Sequence, residues 1–272
     1  MSSFKKRILT RFSLIIILVL NPKVSIASEE ITRPADEHPN LNGIWQALSS
    51  AHWNIERHIA GPPPLSILGA LGATPPGMGV VDNHRIPYQN WAKTKREEHF
   101  KQRLQLDPAI KCYMPGIPRA TYMPFPFQIV QTPQHIFVGY QFATASRTIY
   151  MDRPDMQAPV DTWMGLSKGY WKDGGLTVEV SNQVEDTWFD RSGNFHSDAL
   201  KVTERFIPQG PNHLLYKATI TDENVFTEPW TISLPLYRRI EENFQLLDFR
   251  CVEFAEELMY GHLGKTPSKD EK

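Results

Sequence analysis

The segment Asn194-Phe195-His196-Ser197-Asp198-Ala199-Leu200-Lys201-Val202-Thr203-Glu204-Arg205-Phe206 concentrates side chains that could do acid–base chemistry. Read as a strand, it alternates: His196, Asp198, Leu200, Val202, Glu204 and Phe206 share one face, and Ser197, Ala199, Lys201, Thr203 and Arg205 share the other. Leu200, Val202 and Phe206 mark the first face as inward. His196, Asp198 and Glu204 would then enter an interior where an unpaired charge is costly. A histidine beside a carboxylate keeps one tautomer and titrates near neutrality. His196 would be the base or acid, Asp198 its orienting partner, and Glu204 or Arg119 would stabilise charge. The structural alternative puts His196 and Asp198 at a rim and pairs Glu204 with an inward arginine such as Arg147 or Arg238.

Other motifs carry less. His-x-Asp also opens an iron-binding triad, but His213 lies very close and His262 is near the terminus with no suitable arginine after it. Gly165-Leu166-Ser167-Lys168-Gly169 matches the hydrolase Gly-x-Ser-x-Gly pattern, which works only as a strand–turn–helix elbow. Strands and a hairpin follow here, so Ser167 reads as a strand residue. Gly264-Lys265-Thr266 lacks the glycine-rich loop of a phosphate site. His52 and His58 lack metal spacing, and two cysteines are too few for a zinc knuckle. No metal or cofactor is expected. Arg119-Ala120-Thr121-Tyr122-Met123-Pro124-Phe125-Pro126-Phe127 could line a pocket mouth, with Arg119 meeting a carboxylate, or form a lid over a barrel end.

The elements that must position these residues follow from the pattern. Lys5, Lys6 and Arg7 precede the apolar run Phe12–Leu20, with small residues at Ser25 and Ala27. This predicts a signal peptide over 1–27 and a periplasmic or secreted protein. The run is shorter than the roughly 20 residues of a spanning helix. Without Lys5, Lys6, Arg7, Arg11 and Lys23, five of 29 basic residues, the chain carries a formal net charge of about −6 against its 30 acids. That balance gives no reason to bind nucleic acid. In an oxidising compartment Cys112 and Cys251 read as one disulfide, with two buried thiols as the alternative.

Residues 28–120 read as an irregular arm. Leu41–Trp45 is a short strand, Ala60–Val81 is broken by Pro62-Pro63-Pro64 and Pro75-Pro76-Gly77, and the polar stretch 88–106 predicts the one main helix, ending before Asp107-Pro108. From Phe127 the period becomes two. Strands are expected at 136–142, 147–151, 198–206, 214–221 and 231–237, with another at 246–251. Lys172-Asp173-Gly174-Gly175 joins a hairpin within 169–180. With no crossover helices, the strands of 121–262 predict an antiparallel barrel of about eight strands, with a sandwich as the alternative, and a polar tail over 263–272.

Asn42-Gly43-Ile44-Trp45 before such a barrel resembles the Gly-x-Trp opening of lipocalins and other calycins, although a long stretch of loop and helix separates Trp45 from the main strand series. A second resemblance covers most of the chain. Ile86-Pro87-Tyr88, Asp107-Pro108, Lys111-Cys112-Tyr113-Met114-Pro115-Gly116-Ile117-Pro118-Arg119, Tyr122-Met123-Pro124-Phe125-Pro126-Phe127-Gln128, His196-Ser197-Asp198-Ala199-Leu200 and Thr203-Glu204-Arg205-Phe206 resemble a family of exported bacterial proteins. The resemblance implies export and a shared fold and assigns no activity.

The resulting expectation is a mostly-β, calycin-like barrel that binds a small apolar or aromatic molecule in its lumen, with Arg119, Tyr122, Arg147, Trp163 and Trp188 as contacts. It could also catalyse cofactor-free acid–base chemistry of the isomerase, lyase, hydratase or cyclase type. The competing expectation is a non-catalytic accessory subunit of an envelope complex that docks through the Pro-rich arm. A packed lumen with Glu204 ion-paired favours the second view; an open lumen with His196 and Asp198 facing it favours the first.

Overall fold

The computed structural model describes residues 38–63 and 66–264. The signal segment expected over 1–27 and most of the tail expected over 263–272 lie outside the described residues. Nine strands close into a barrel in chain order: β1 (Gly43–Ala47), β2 (Phe127–Gln131), β3 (His135–Tyr140), β4 (Ser146–Met151), β5 (Leu166–Lys172), β6 (Gly175–Ser181), β7 (Lys201–Gly210), β8 (His213–Thr221) and β9 (Trp230–Arg238). β9 returns to pair with β1, Trp45 opposite Arg238 and Ala47 opposite Leu236.

The sheet is mixed, which corrects the expectation of antiparallel pairing throughout. β4 and β5 run parallel, with Ile149 opposite Ser167 and Met151 opposite Gly169. Parity explains it: an odd ring of strands cannot alternate direction all the way round, so one pair must be parallel. A parallel pair needs a long crossover. Residues 152–165 supply it, kept irregular by Pro154, Pro159 and Gly165. The β5–β6 hairpin forms where the sequence places it. Asp173 and Gly174 both adopt positive φ, 49° and 72°, as a two-residue primed turn requires.

Alternation fills the lumen. Val202, Glu204 and Phe206 of β7 face Leu214, Tyr216, Ala218 and Ile220 of β8, and Leu176, Val178 and Val180 of β6; all are buried. Together with Ile232, Leu234 and Leu236 of β9 and Ile136 and Val138 of β3, the apolar members form one contiguous core. Each fully buried Leu, Ile or Phe stabilises the fold by roughly 1.5–3 kcal/mol.

The arm does more than cover the barrel, because it contributes the closing strand β1. Fully buried Trp45 donates its indole N–H to the Leu41 carbonyl at 2.9 Å. The Arg238 guanidinium lies 4.2 Å above the Trp45 ring and donates to the carbonyls of Asn42 and Pro211. Gly43, at φ 129°, leaves the space that Arg238 occupies, and a Cβ there would collide with it. Farther along, Val80 and Asp82 hydrogen-bond to Ser233 and Thr231 of β9. The helix expected over 88–106 forms as α1 (Asn90–Lys101) and α2 (Arg103–Leu106), parted at Gln102, and stops before Asp107-Pro108. The buried turn α3 (Arg119–Tyr122) packs on β1. Beyond β9 the chain is irregular where a strand was expected at 246–251, then forms α4 (Ala255–Tyr260). A Cys112–Cys251 disulfide, with Cα atoms 5.7 Å apart, ties this segment to the arm.

Candidate functional site

The His-x-Asp segment is a turn rather than part of a strand, because β7 begins only at Lys201. Ser197 causes this. Its backbone N–H and hydroxyl donate to the buried Asp222 carboxylate at 2.6 and 2.9 Å, and its hydroxyl also accepts the Ala199 N–H at 3.1 Å. Such local side-chain bonds compete with strand pairing. The alternation predicted from His196 to Leu200 is therefore lost. Asp198 turns outward and is exposed, while His196 remains buried.

His196 is held at both nitrogens. Nδ1–H donates to the Ser197 carbonyl at 2.8 Å, which leaves Nε2 to accept from the Thr187 hydroxyl at 2.6 Å. Burial pushes its pKa down, against smaller opposing effects from the Ser197 carbonyl and Asp222, so the ring is neutral at pH 7. The carboxylate nearest in this account is Asp222, acting through Ser197, and not Asp198.

Glu204 points inward but stays away from His196. It accepts two hydrogen bonds from Arg147, at 2.6 and 3.0 Å, and one from the Tyr216 hydroxyl at 2.8 Å. Arg147 also donates to Ser167 at 3.3 Å, and Ser167 sits in β5 as a strand residue. The lumen is thus packed around an ion pair, the outcome that favours a filled barrel over a lumenal ligand.

Arg119 is likewise committed. It forms a bidentate pair with buried Asp107 at 2.9 and 3.1 Å, and Asp107 also accepts the Ala109 N–H at 3.0 Å. Tyr122 donates to the Phe189 carbonyl at 2.8 Å. Tyr122 thereby ties α3 to the β6–β7 connection, whereas the Arg119–Asp107 pair links two parts of the arm, and all three side chains are buried. Asp190, in the same connection, accepts from the backbone N–H groups of Ile55 and Ser192, each at 2.8 Å, and from the Asn194 side chain at 2.6 Å. Burial raises its pKa to about 6.

What the structure does bring together is a cleft of about 180 Å³ between α1, the 108–113 turn and the β6–β7 connection. Trp188 and His196 line it, beside Phe195, Tyr113, His99, Lys95, Lys111, Glu185 and Asp186. Trp188 stacks on His99 with ring centroids 4.6 Å apart. Trp163 joins indirectly, its ring 4.8 Å from that of Tyr113. Burial lowers the His99 pKa. Lys95 and His99 are spaced i, i+4 on the predicted helix, a signal that could have placed them on one face. Tyr113, Glu185 and Asp186 lie in loops whose path the sequence does not disclose. A second, more apolar concavity of about 500 Å³ lies between residues 48–53 and 75–80 of the arm.

The fold and site thus define a closed mixed β-barrel with a core-packed interior and, outside the lumen, a small cleft bordered by both aromatic and charged side chains. Comparison with family models finds no match to this chain, and no curated protein or solved structure is significantly similar to it.

Proposed function

We propose that this chain is an exported protein that binds a small aromatic molecule in the cleft between α1 and the β6–β7 connection. The observation that carries the proposal is the Trp188 wall. A buried indole is stacked on His99, and Phe195, neutral His196 and the exposed Tyr113 line the same cleft. Ligand sites commonly bring aromatic side chains and convergent polar groups together, and here the polar groups are numerous: Lys95, Lys111, Glu185 and Asp186 beside the two histidines. The reading favours binding over acid–base catalysis, because both His196 nitrogens are already engaged and Glu204 is neutralised by Arg147. A calycin-like relationship fits the Gly43-x-Trp45 opening of the closing strand, with Arg238 seated over Trp45.

The test is native mass spectrometry of the mature protein purified from its own host, paired with tryptophan-fluorescence titration against small aromatic compounds. A co-purifying aromatic molecule, and quenching lost in Trp188→Ala, is the expected result. An empty protein whose fluorescence no aromatic compound perturbs would overturn the reading.

A second reading, an accessory subunit that docks through the arm, draws on a different observation. Residues 60–81 contain no Asp, Glu, Lys or Arg. They border the larger apolar concavity, where Leu48 is 69% and Met78 76% exposed. Retention of a specific partner subunit, lost in Met78→Asp, would favour it.

A further inference from the structure

We infer that the finger formed by residues 58–77 of the arm is a lipid-contact element: its tip enters the surface of a bilayer, and the apolar concavity at its root seats an acyl chain. The inference does not depend on the Trp188 cleft. It takes the arm segment of the second reading and assigns it a lipid surface in place of a protein.

The finger is a short ribbon. His58 and Gly77 exchange two backbone hydrogen bonds, each at 3.0 Å, and Gly61 and Thr74 exchange another two at 3.0 Å. Beyond these bridges lies a 3₁₀ turn (Ser66–Gly72). Pro62, Pro63, Pro75 and Pro76 stiffen the two sides. The tip projects into open surroundings: Ala60, Pro62, Ile67, Gly69, Ala70 and Ala73 are exposed, and a Cβ added to Gly69 would meet nothing within 4 Å.

The absence of charge identifies the partner. From His58 to Val81 there is no Asp, Glu, Lys or Arg, yet Ile59 is 87% and Ile67 66% exposed. The concavity of about 500 Å³ between residues 48–53 and 75–80 continues the same surface and has no Asp, Glu, Lys or Arg in its lining. Burial, aided by Arg119 and Arg191, holds His52 on its wall neutral. A protein-binding surface keeps a polar rim and favours arginine, and a protein face covers one side of a projection. Fluid hydrocarbon surrounds a projection on every side and penalises each charged group. Interfacial elements of this kind lie at the boundary of headgroups and acyl chains. The formal charge of about −6 on the mature chain supplies no attraction to anionic lipid, so apolar burial has to drive the contact.

The experiment is flotation of the full mature chain with vesicles of phosphatidylcholine, with and without phosphatidylglycerol, at low and high salt. Binding to pure phosphatidylcholine vesicles, undiminished by salt, is expected. Ile67→Asp and Met78→Asp should each lower the bound fraction's partition constant by about tenfold or more, and Ile67→Leu should keep it. Leu258→Asp, at an equally exposed apolar residue of α4, should leave it unchanged and so exclude general stickiness. Lipids brominated along the acyl chain should quench Trp53, which lines the concavity, as read from the difference between wild type and Trp53→Phe. These positions are exposed or border open space, and unchanged melting temperatures show that the variants are folded. Absence of vesicle binding overturns the inference, as does binding that requires phosphatidylglycerol and is abolished by salt. A protein subunit retained by wild type and lost in Ile67→Asp, without vesicle binding, would overturn it in favour of the accessory-subunit reading.

Discussion

Arg147 of β4 and Glu204 of β7 meet inside the barrel through two hydrogen bonds, at 2.6 and 3.0 Å, across the width of β5 and β6. Both side chains are almost wholly buried, and the Tyr216 hydroxyl completes the carboxylate. The carboxylate holds the guanidinium pKa above its usual range, against the cost of burial. The pair fixes which strands face each other in a lumen otherwise filled by aliphatic and aromatic residues.

Removing one partner should therefore hurt more than removing both. Glu204→Gln leaves a buried guanidinium without its counter-charge, at an expected cost of about 3–5 kcal/mol. Arg147→Met combined with Glu204→Leu should recover much of that loss. Urea denaturation of the three proteins decides it, and a double variant no more stable than Glu204→Gln would contradict this account.

His196 and Thr187 make a second testable pair. Thr187→Val keeps the volume but strips the donor from His196 Nε2, and should cost about 1–3 kcal/mol as an unsatisfied buried group. His196→Ala should cost at least as much, since it strands both the Thr187 hydroxyl and the Ser197 carbonyl. Asp198→Ala, at an exposed turn, should fall within about 0.5 kcal/mol of wild type. Thermal melts rank the three, and an Asp198→Ala loss as large as that of His196→Ala would restore the dyad that the turn geometry dismantles.

Stability should respond to acid through groups that pull in opposite directions. Burial, assisted by Arg119 and Arg191, lowers the His52 pKa to about 3, so the unfolded chain takes up that proton first. Folding free energy is then lost as pH falls from about 6.5 toward 3. Burial raises Asp190 to about 6, so the folded state holds this proton more tightly. Stability is therefore gained as pH falls from about 6 to about 4. Asp190→Asn removes the compensating half, and its stability should drop more steeply than that of wild type between pH 6 and 4. Parallel slopes in urea titrations across that range would take Asp190 out of the account.

The Cys112–Cys251 disulfide closes a span of 139 residues, yet Cys251 lies beyond β9 and outside the barrel. Its loss should first release the segment after residue 240, which is otherwise held by contacts such as Phe254 N–H to the Ile110 carbonyl and Arg191 to Glu256. The full chain-entropy value of about 5 kcal/mol should not appear in the barrel's unfolding, because a local opening escapes it. Reduction should expose new protease sites between residues 240 and 255 while the barrel stays resistant. Digestion of the barrel at the same rate would show that the bond supports the whole fold.

These geometries were unevenly legible in the sequence. The Asp173-Gly174 turn, the strands around it and the helix ending before Asp107-Pro108 all follow from local chemistry, and the structure has them. Glu204 meets Arg147, one of the two partners its inward position allowed. Asp198 departs from its expected inward position because strand alternation does not reach back through Ser197, whose attachment to Asp222 lies across the chain and leaves no local signal. Strand count and direction were hidden for a similar reason. Whether Gly43–Ala47 joins the ring depends on its meeting Arg238, and the ninth strand makes one parallel pair unavoidable. The cleft was the least legible, since its walls come from a helix, a turn and a loop that only the tertiary fold brings together.

The pairing of β1 with β9 also sets an order of events. A chain made from its N-terminus produces Gly43–Ala47 early, but β9 ends at Arg238, so the strand waits while nearly all of the barrel is synthesised. Its other neighbour, β2, begins only at Phe127. Ring closure is consequently a late, high-contact-order step, slow by the standards of small domains. Until it happens, Trp45 and the open flank of β9 remain available to whatever chaperone or neighbouring chain meets them first.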